Sequence, residues 1–130
     1  MNTATAAKPH GNTGKIRKLA RHLFAEATRP YVKLCLDYPD SGGAHNQLAW
    51  TQVECHRDLD DALVHAKRAA ELQPRSTAIL DTLAEVQNAR GQYAEAVASI
   101  SRCVELEPWE PHHRKQLERF KAALERGPGN

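Results

Sequence analysis

"DDALVHAKRAAELQP" (residues 60–74) and "AEAVASISRCVELEP" (residues 94–108) decide the architecture, because the second repeats the first at an offset of 34. Ala62 falls under Ala96, Arg68 under Arg102, Glu71 under Glu105, Leu72 under Leu106 and Pro74 under Pro108. A fixed period of this length is the mark of a stacked repeat, in which one unit cannot bury its own apolar face and needs a neighbour. Upstream the offset becomes 35: Leu48-Ala49 match Leu83-Ala84, so the first unit carries one extra residue, placed in the turn "CHRDL". A fainter echo lies 35 residues earlier, with Ala27, Tyr31, Leu34 and Pro39 under Ala62, Ala66, Ala69 and Pro74.

Each unit reads as two helices. Ser76 and Thr77 are N-cap types, and apolar residues follow at 79, 80, 83 and 86. Gly91 stops that helix, since glycine adopts positive φ without a Cβ penalty. Tyr93, Ala96, Val97, Ile100, Cys103, Val104 and Leu106 then recur at three-four spacing until Pro108 ends the run. At the C-terminus, Leu117, Phe120, Ala123 and Leu124 form one stripe, with Arg114, Lys115, Glu118, Arg119 and Lys121 opposite. At the N-terminus, "GKIRKLARHLFAEA" predicts a leading helix with Ile16, Leu19, Leu23 and Phe24 inside, and Pro30 starts or kinks a shorter helix over 29–38. Residues 1–13 and 127–130 read as a disordered and a flexible tail.

A helix-turn-helix unit of 34 residues with this pattern resembles a tetratricopeptide repeat (TPR). In residues 77–110 the family positions fall on Leu80, Leu83-Ala84, Gln87, Ala96, Ile100, Cys103 and Pro108, with Gly91-Gln92-Tyr93 at the turn. Gln87, where the family has an aromatic, is a departure. In residues 42–76 they fall on Leu48-Ala49, Leu59, Ala62, Ala66, Ala69 and Pro74, and Arg57-Asp58 replaces the turn glycine. The resemblance implies an all-α fold: an α-solenoid of antiparallel hairpins, about seven helices. One domain over 14–126 is expected, divided into a degenerate hairpin (14–41), two repeats (42–76 and 77–109) and a cap helix (110–126).

Composition excludes several classes. Hydrophobic residues make up 41% and charged residues 26%, an ordinary globular balance. No apolar run reaches the ~18 residues of a membrane span, and "MNTATAAKPHGNTG" has no apolar signal region. A cytoplasmic protein is the expectation. Cys35, Cys55 and Cys103 are odd in number and show no CxxC spacing, so buried free thiols are expected rather than disulfides or a zinc site. No phosphate loop or H-x-x-x-H pair appears, and His112-His113 point about 100° apart on a helix, poor geometry for one metal. Cys55-His56 lies at a repeat turn with no third orienting group. No catalytic residue, cofactor or metal is expected, and the chain does not read as an enzyme.

Net charge is +2, but residues 1–39 carry +5, residues 40–107 carry −5 and residues 108–130 carry +2. Lys15, Arg17, Lys18, Arg21, Arg29 and Lys33 could track phosphates, yet no aromatic residues interleave them and helical spacing splits them around the apolar stripe. Nucleic-acid or acidic-partner binding through this helix is therefore the second alternative. In a TPR the first helix of each hairpin lines a concave groove. The resemblance places Gly43, Asn46, Trp50, Val53 and Glu54 there from one unit, and Ala78, Asp81, Glu85, Asn88 and Ala89 from the next. Trp50 is then an anchor, Asn46 and Asn88 are hydrogen-bonding groups for an extended backbone, and Glu54, Asp81 and Glu85 favour a basic segment. Some TPR domains clamp a chaperone's C-terminal carboxylate with Lys, Asn and Arg, but no groove lysine or arginine is visible in these repeats. The functional expectation is a protein or peptide interaction module. The first alternative is a structural or self-assembling scaffold, with a homo-oligomer as one form of it.

Overall fold

The computed structural model describes residues 10–127. Within them lie six helices and no strand: α1 (His10–Asp37), α2 (Gly42–Glu54), α3 (Leu59–Leu72), α4 (Thr77–Ala89), α5 (Tyr93–Leu106) and α6 (Pro111–Arg126). α2 pairs with α3 and α4 with α5, and α6 packs on α5. α2 and α4 also touch each other, as do α4 and α6, so these three form one layer and α3 and α5 the other.

The repeat in sequence is a repeat in space. Ala62, Ala66 and Ala69 of α3 and Ala96, Ile100 and Cys103 of α5 are all fully buried. Ser41 and Ser76 cap the N-termini of α2 and α4, accepting from the amides of Ala44 and Ile79 at 3.1 and 3.3 Å. Gln73 and Glu107, just before the two prolines, leave α3 and α5 with nearly identical torsions, φ −137° and −136°. The turns differ. α4 ends on Gly91 at φ +81°, whereas the α2–α3 turn puts His56 and Asp58 both at φ +52°, a left-handed conformation that side chains seldom adopt. The extra residue of "CHRDL" is accommodated there. The departure at Gln87 is absorbed too: its buried amide oxygen accepts from the Ser99 hydroxyl at 2.8 Å.

Three apolar clusters run along the stack. Cys35, Ala44 and Leu48 join α1 to α2, with Tyr31 against them. Ala49, Ala62, Ala66, Leu83 and Val86 join α2, α3 and α4. Leu80, Ala84, Ala96, Ile100, Cys103 and Phe120 join α4, α5 and α6. Alanines at the crossing points let the helices approach closely. Ala96→Leu should therefore overpack the third cluster and cost about 1–3 kcal/mol, read as a lower urea midpoint; an unchanged midpoint would contradict the burial of Ala96.

The N-terminal part differs from expectation. The degenerate hairpin expected over 14–41, with its second helix at 29–38, is replaced by one continuous helix of 28 residues, His10–Asp37, that passes through Pro30. A hairpin needs turn residues, and "EATRPYV" supplies none besides the proline. A mid-helix proline removes one amide donor, and Pro30 stands on an exposed face. Residues 10–13, read as part of a disordered tail, belong to this helix. The rest of that tail, and residues 128–130, lie outside the described residues.

Because α1 does not fold back, no second helix among the described residues covers its N-terminal half. Ile16, Leu19 and Leu23, expected inside, are 65%, 56% and 57% exposed, and only Phe24 is half-buried, with the Arg57 guanidinium 5.9 Å from its ring centre. The register of the faint echo holds at Tyr31 and shifts by one residue on either side of it. Tyr31 and Cys35 pack toward α2 and Thr28 is buried, while Ala27 and Leu34 are exposed. Thr28 can be buried because its hydroxyl donates to the Phe24 carbonyl at 3.0 Å.

Glu107 ties the last three helices together. Its Oε1 accepts from the Thr77 hydroxyl of α4 at 3.0 Å and faces Nε2 of the buried His113 of α6 at 2.9 Å. The bond to His113, then that to Thr77, hold the Glu107 carboxyl below its ordinary value of 4.5. A carboxyl depressed on folding stabilises the protein fully above its unfolded value and loses that contribution as pH falls through the folded value. The melting temperature should thus drop below about pH 4.5 more steeply in the wild type than in Glu107→Gln, with thermal melts from pH 7 to 3 as the measurement. Equal slopes would remove Glu107 as a contributor.

Candidate functional site

The layer of α2, α4 and α6 carries the residues singled out from the sequence. Asn46, Trp50 and Glu54 recur every four residues along one side of α2, and Asp81, Glu85 and Asn88 at four and three along α4. Trp50 is 37% exposed, so the leading helix does not cover it. Glu54 is exposed, and Asp81, Glu85 and Asn88 are half-buried.

The acids of α4 are already engaged, by a helix that the sequence showed only as a cap. Nε2 of His112 lies 3.1 Å from Oδ2 of Asp81. The Gln116 amide donates to Oδ1 of Asp81 at 3.0 Å and to Oε2 of Glu85 at 2.6 Å. Arg119 forms an ion pair with Glu85, and its guanidinium also donates to Gln116 Oε1. His112, Gln116 and Arg119 are spaced four and three apart, the same stripe that Asp81, Glu85 and Asn88 make on α4. The groove positions of the two repeats hold no arginine, but α6 brings Arg119 beside them. With three carboxylates and one guanidinium, the set of Glu54, Asp81, Glu85 and Arg119 still carries a net −2 with histidines neutral.

The two asparagines differ from expectation in detail. Oδ1 of Asn46 and Oδ1 of Asn88 are buried without a hydrogen-bond partner. A buried carbonyl oxygen cannot accept from a surface ligand where it lies, and a half-turn of the amide plane exchanges its oxygen and nitrogen. An orphaned oxygen in each of two residues on this face is a local cost awaiting a donor.

The other sequence candidates separate cleanly. Cys55 is exposed rather than buried, at the strained α2–α3 turn. Cys103 is buried, 3.5 Å from the Thr77 carbonyl, and burial, with Asp81 and Glu107 near, pushes its thiol up to about 12. Lys15, Arg17, Lys18 and Arg21 are exposed on α1, while Arg29 pairs with Glu26 and Lys33 with Asp37, both at 2.7 Å. On the buried side of α2 the fold assembles a group that the sequence did not suggest. One ligand-type atom each from Cys35, His45 and His65 lies within 4.8 Å of the others. Their separations of 10 and 20 residues match no local metal motif, so only the packing of three helices reveals them. Among the described residues, no helix is long and apolar enough to cross a membrane.

No protein-family model and no curated protein matches the chain. Solved structures do. The first TPR of Spaghetti (RPAP3), bound to the HSP90 peptide SRMEEVD, superposes with a TM-score of 0.71 at 19% identity, over 83% of this chain and 85% of that one. The type III secretion chaperone SycD of Yersinia enterocolitica, in complex with a peptide of the translocator YopD, gives 0.63 at 18% identity, over 88% and 91%. The fold is that of a TPR domain.

Proposed function

We propose that this chain is a non-catalytic interaction module that binds a peptide segment bearing Lys or Arg along the face formed by α2, α4 and α6. The observation that carries the reading is Trp50, a large aromatic left more than one-third exposed on an inner helix of a preformed layer. Asn46, Glu54, Asp81, Glu85 and Asn88 surround it by register, and the net −2 of the charged set favours a cationic segment by field complementarity. Two solved structures of similar fold each hold a peptide, which supports the class of partner. Cationic, neutral and anionic peptides are titrated by calorimetry at two salt concentrations. Cationic peptides should bind at micromolar Kd, with Glu54→Lys slowing association and flattening the salt dependence. Binding of anionic peptides alone would end this reading.

Self-association is the second reading, and the bare stripe of Ile16, Leu19 and Leu23 favours it. A concentration-dependent dimer in sedimentation, abolished by Leu19→Glu, is its expected signature.

A further inference from the structure

We propose that Cys35, His45 and His65 form a zinc site that pins α1 to the first hairpin. The outer atoms of the two rings both meet acceptors. Nε2 of His45 lies 2.7 Å from the Pro39 carbonyl oxygen, which can only accept, so that nitrogen carries its proton. Nε2 of His65 lies 3.4 Å from Oδ2 of Asp61, an ionised acceptor, so the same protonation is favoured there. A neutral imidazole has one proton. Both Nδ1 atoms are then bare acceptors, and they face each other at 2.9 Å. Two lone pairs at that separation repel unless a cation lies between them.

The third donor decides which cation. A shared proton would reconcile the two nitrogens and leave the sulfur unused. Sγ of Cys35, from α1, instead sits within 4.8 Å of both imidazoles, in a cleft of about 340 Å³ whose apolar wall is Val32, Leu36 and Leu48. One thiolate and two imidazoles suit borderline-soft Zn(II). Bonds of about 2.0–2.1 Å to nitrogen and about 2.3 Å to sulfur put tetrahedral ligand atoms roughly 3.4–3.6 Å apart, so the nitrogens open by about half an ångström and the sulfur closes in. The outer contacts suit the same role. Metal-bound histidines usually donate their second N–H to a carbonyl or a carboxylate, as Pro39 and Asp61 are placed to receive. Gln52 in turn donates to Asp61 at 2.9 Å. The fourth corner is left for water. Binding releases the thiol proton to solvent, and no redox step is involved.

The consequence is mechanical. The three ligands come from α1, α2 and α3, whereas α1 otherwise rests on α2 through the small cluster around Leu48. Metal would lock the long helix in place, and its removal would loosen α1 without unstacking the two hairpins.

The test uses the full chain stripped with EDTA and titrated with Co(II), then Zn(II). One equivalent of Co(II) should give a near-ultraviolet thiolate-to-cobalt band and the intense visible bands of four-coordination, and Zn(II) should displace both. Cys35→Ser should lose the thiolate band and Cys55→Ser should keep it. His65→Gln should weaken zinc binding at least 100-fold, and Asp61→Asn by about 10- to 100-fold as an outer-contact loss. His45 is buried, so the half-buried His65 carries the histidine test. Circular dichroism of each metal-free variant checks that it folds, and the Asp61→Asn affinity stands as an independent arm. No band at one equivalent, a band indifferent to Cys35→Ser, or a zinc affinity unchanged in both His65→Gln and Asp61→Asn overturns the site. Two-histidine proton sharing without metal uptake overturns it equally.

Discussion

Phe120→Ala should destabilise the protein by about 3–5 kcal/mol, the largest stability loss expected of any single substitution here. Phe120 is the largest fully buried side chain, and among the fully buried residues it is the one contributed by α6. Its ring enters the cluster of Leu80, Ala84, Ala96, Ile100 and Cys103, where two of the five neighbours are alanines. Alanine has no side chain with which to swing into the space, so the void persists and the cavity cost adds to the lost transfer energy. The consequence reaches the candidate site, because the same helix holds His112, Gln116 and Arg119 against Asp81 and Glu85. A urea titration against Leu124→Ala, on the same helix but 43% exposed, separates burial from helix propensity. The Leu124 variant should lose far less. Equal losses would mean that α6 does not cap the stack through Phe120.

Trp50→Ala should weaken binding of a Lys/Arg peptide by about 2 kcal/mol, roughly 30-fold in Kd. An exposed tryptophan offers a rigid apolar area with two rotatable bonds, so covering it gains much and orders little. Because Trp50 is 37% exposed whereas Phe120 is fully buried, the truncation should lower the melting temperature by less than Phe120→Ala does. That split between binding and stability distinguishes an anchor from a core residue. Trp109, 75% exposed in the α5–α6 connection, is the control, and Trp109→Ala should leave affinity unchanged. Intact affinity in Trp50→Ala would remove the anchor and shift attention to the basic residues of α1.

Much of the stack is legible without coordinates. The three-four spacing of Ala62, Ala66 and Ala69, echoed by Ala96, Ile100 and Cys103, names the buried faces before any packing is known. Ser76, Gly91, Pro74 and Pro108 punctuate the helices for reasons that lie within a few residues. The candidate site was legible in its α2 and α4 members alone. Register says which way Trp50 and Asp81 point, but not what stands opposite. The partners of Asp81 and Glu85 lie 31 to 35 residues away on a helix that reads, by itself, as an amphipathic cap.

The sequence by itself determined the two hairpins, their period and their inward faces, because helix periodicity, caps and breakers are local properties of the chain. Only the tertiary structure decided that α1 runs straight through Pro30 and turns Cys35, not Leu34, toward α2. It alone placed Arg119 beside Glu85 and gathered Cys35, His45 and His65 from three helices. Those outcomes depend on the angle and offset at which helices pack, and these follow from the summed fit of many side chains rather than from any stretch of sequence.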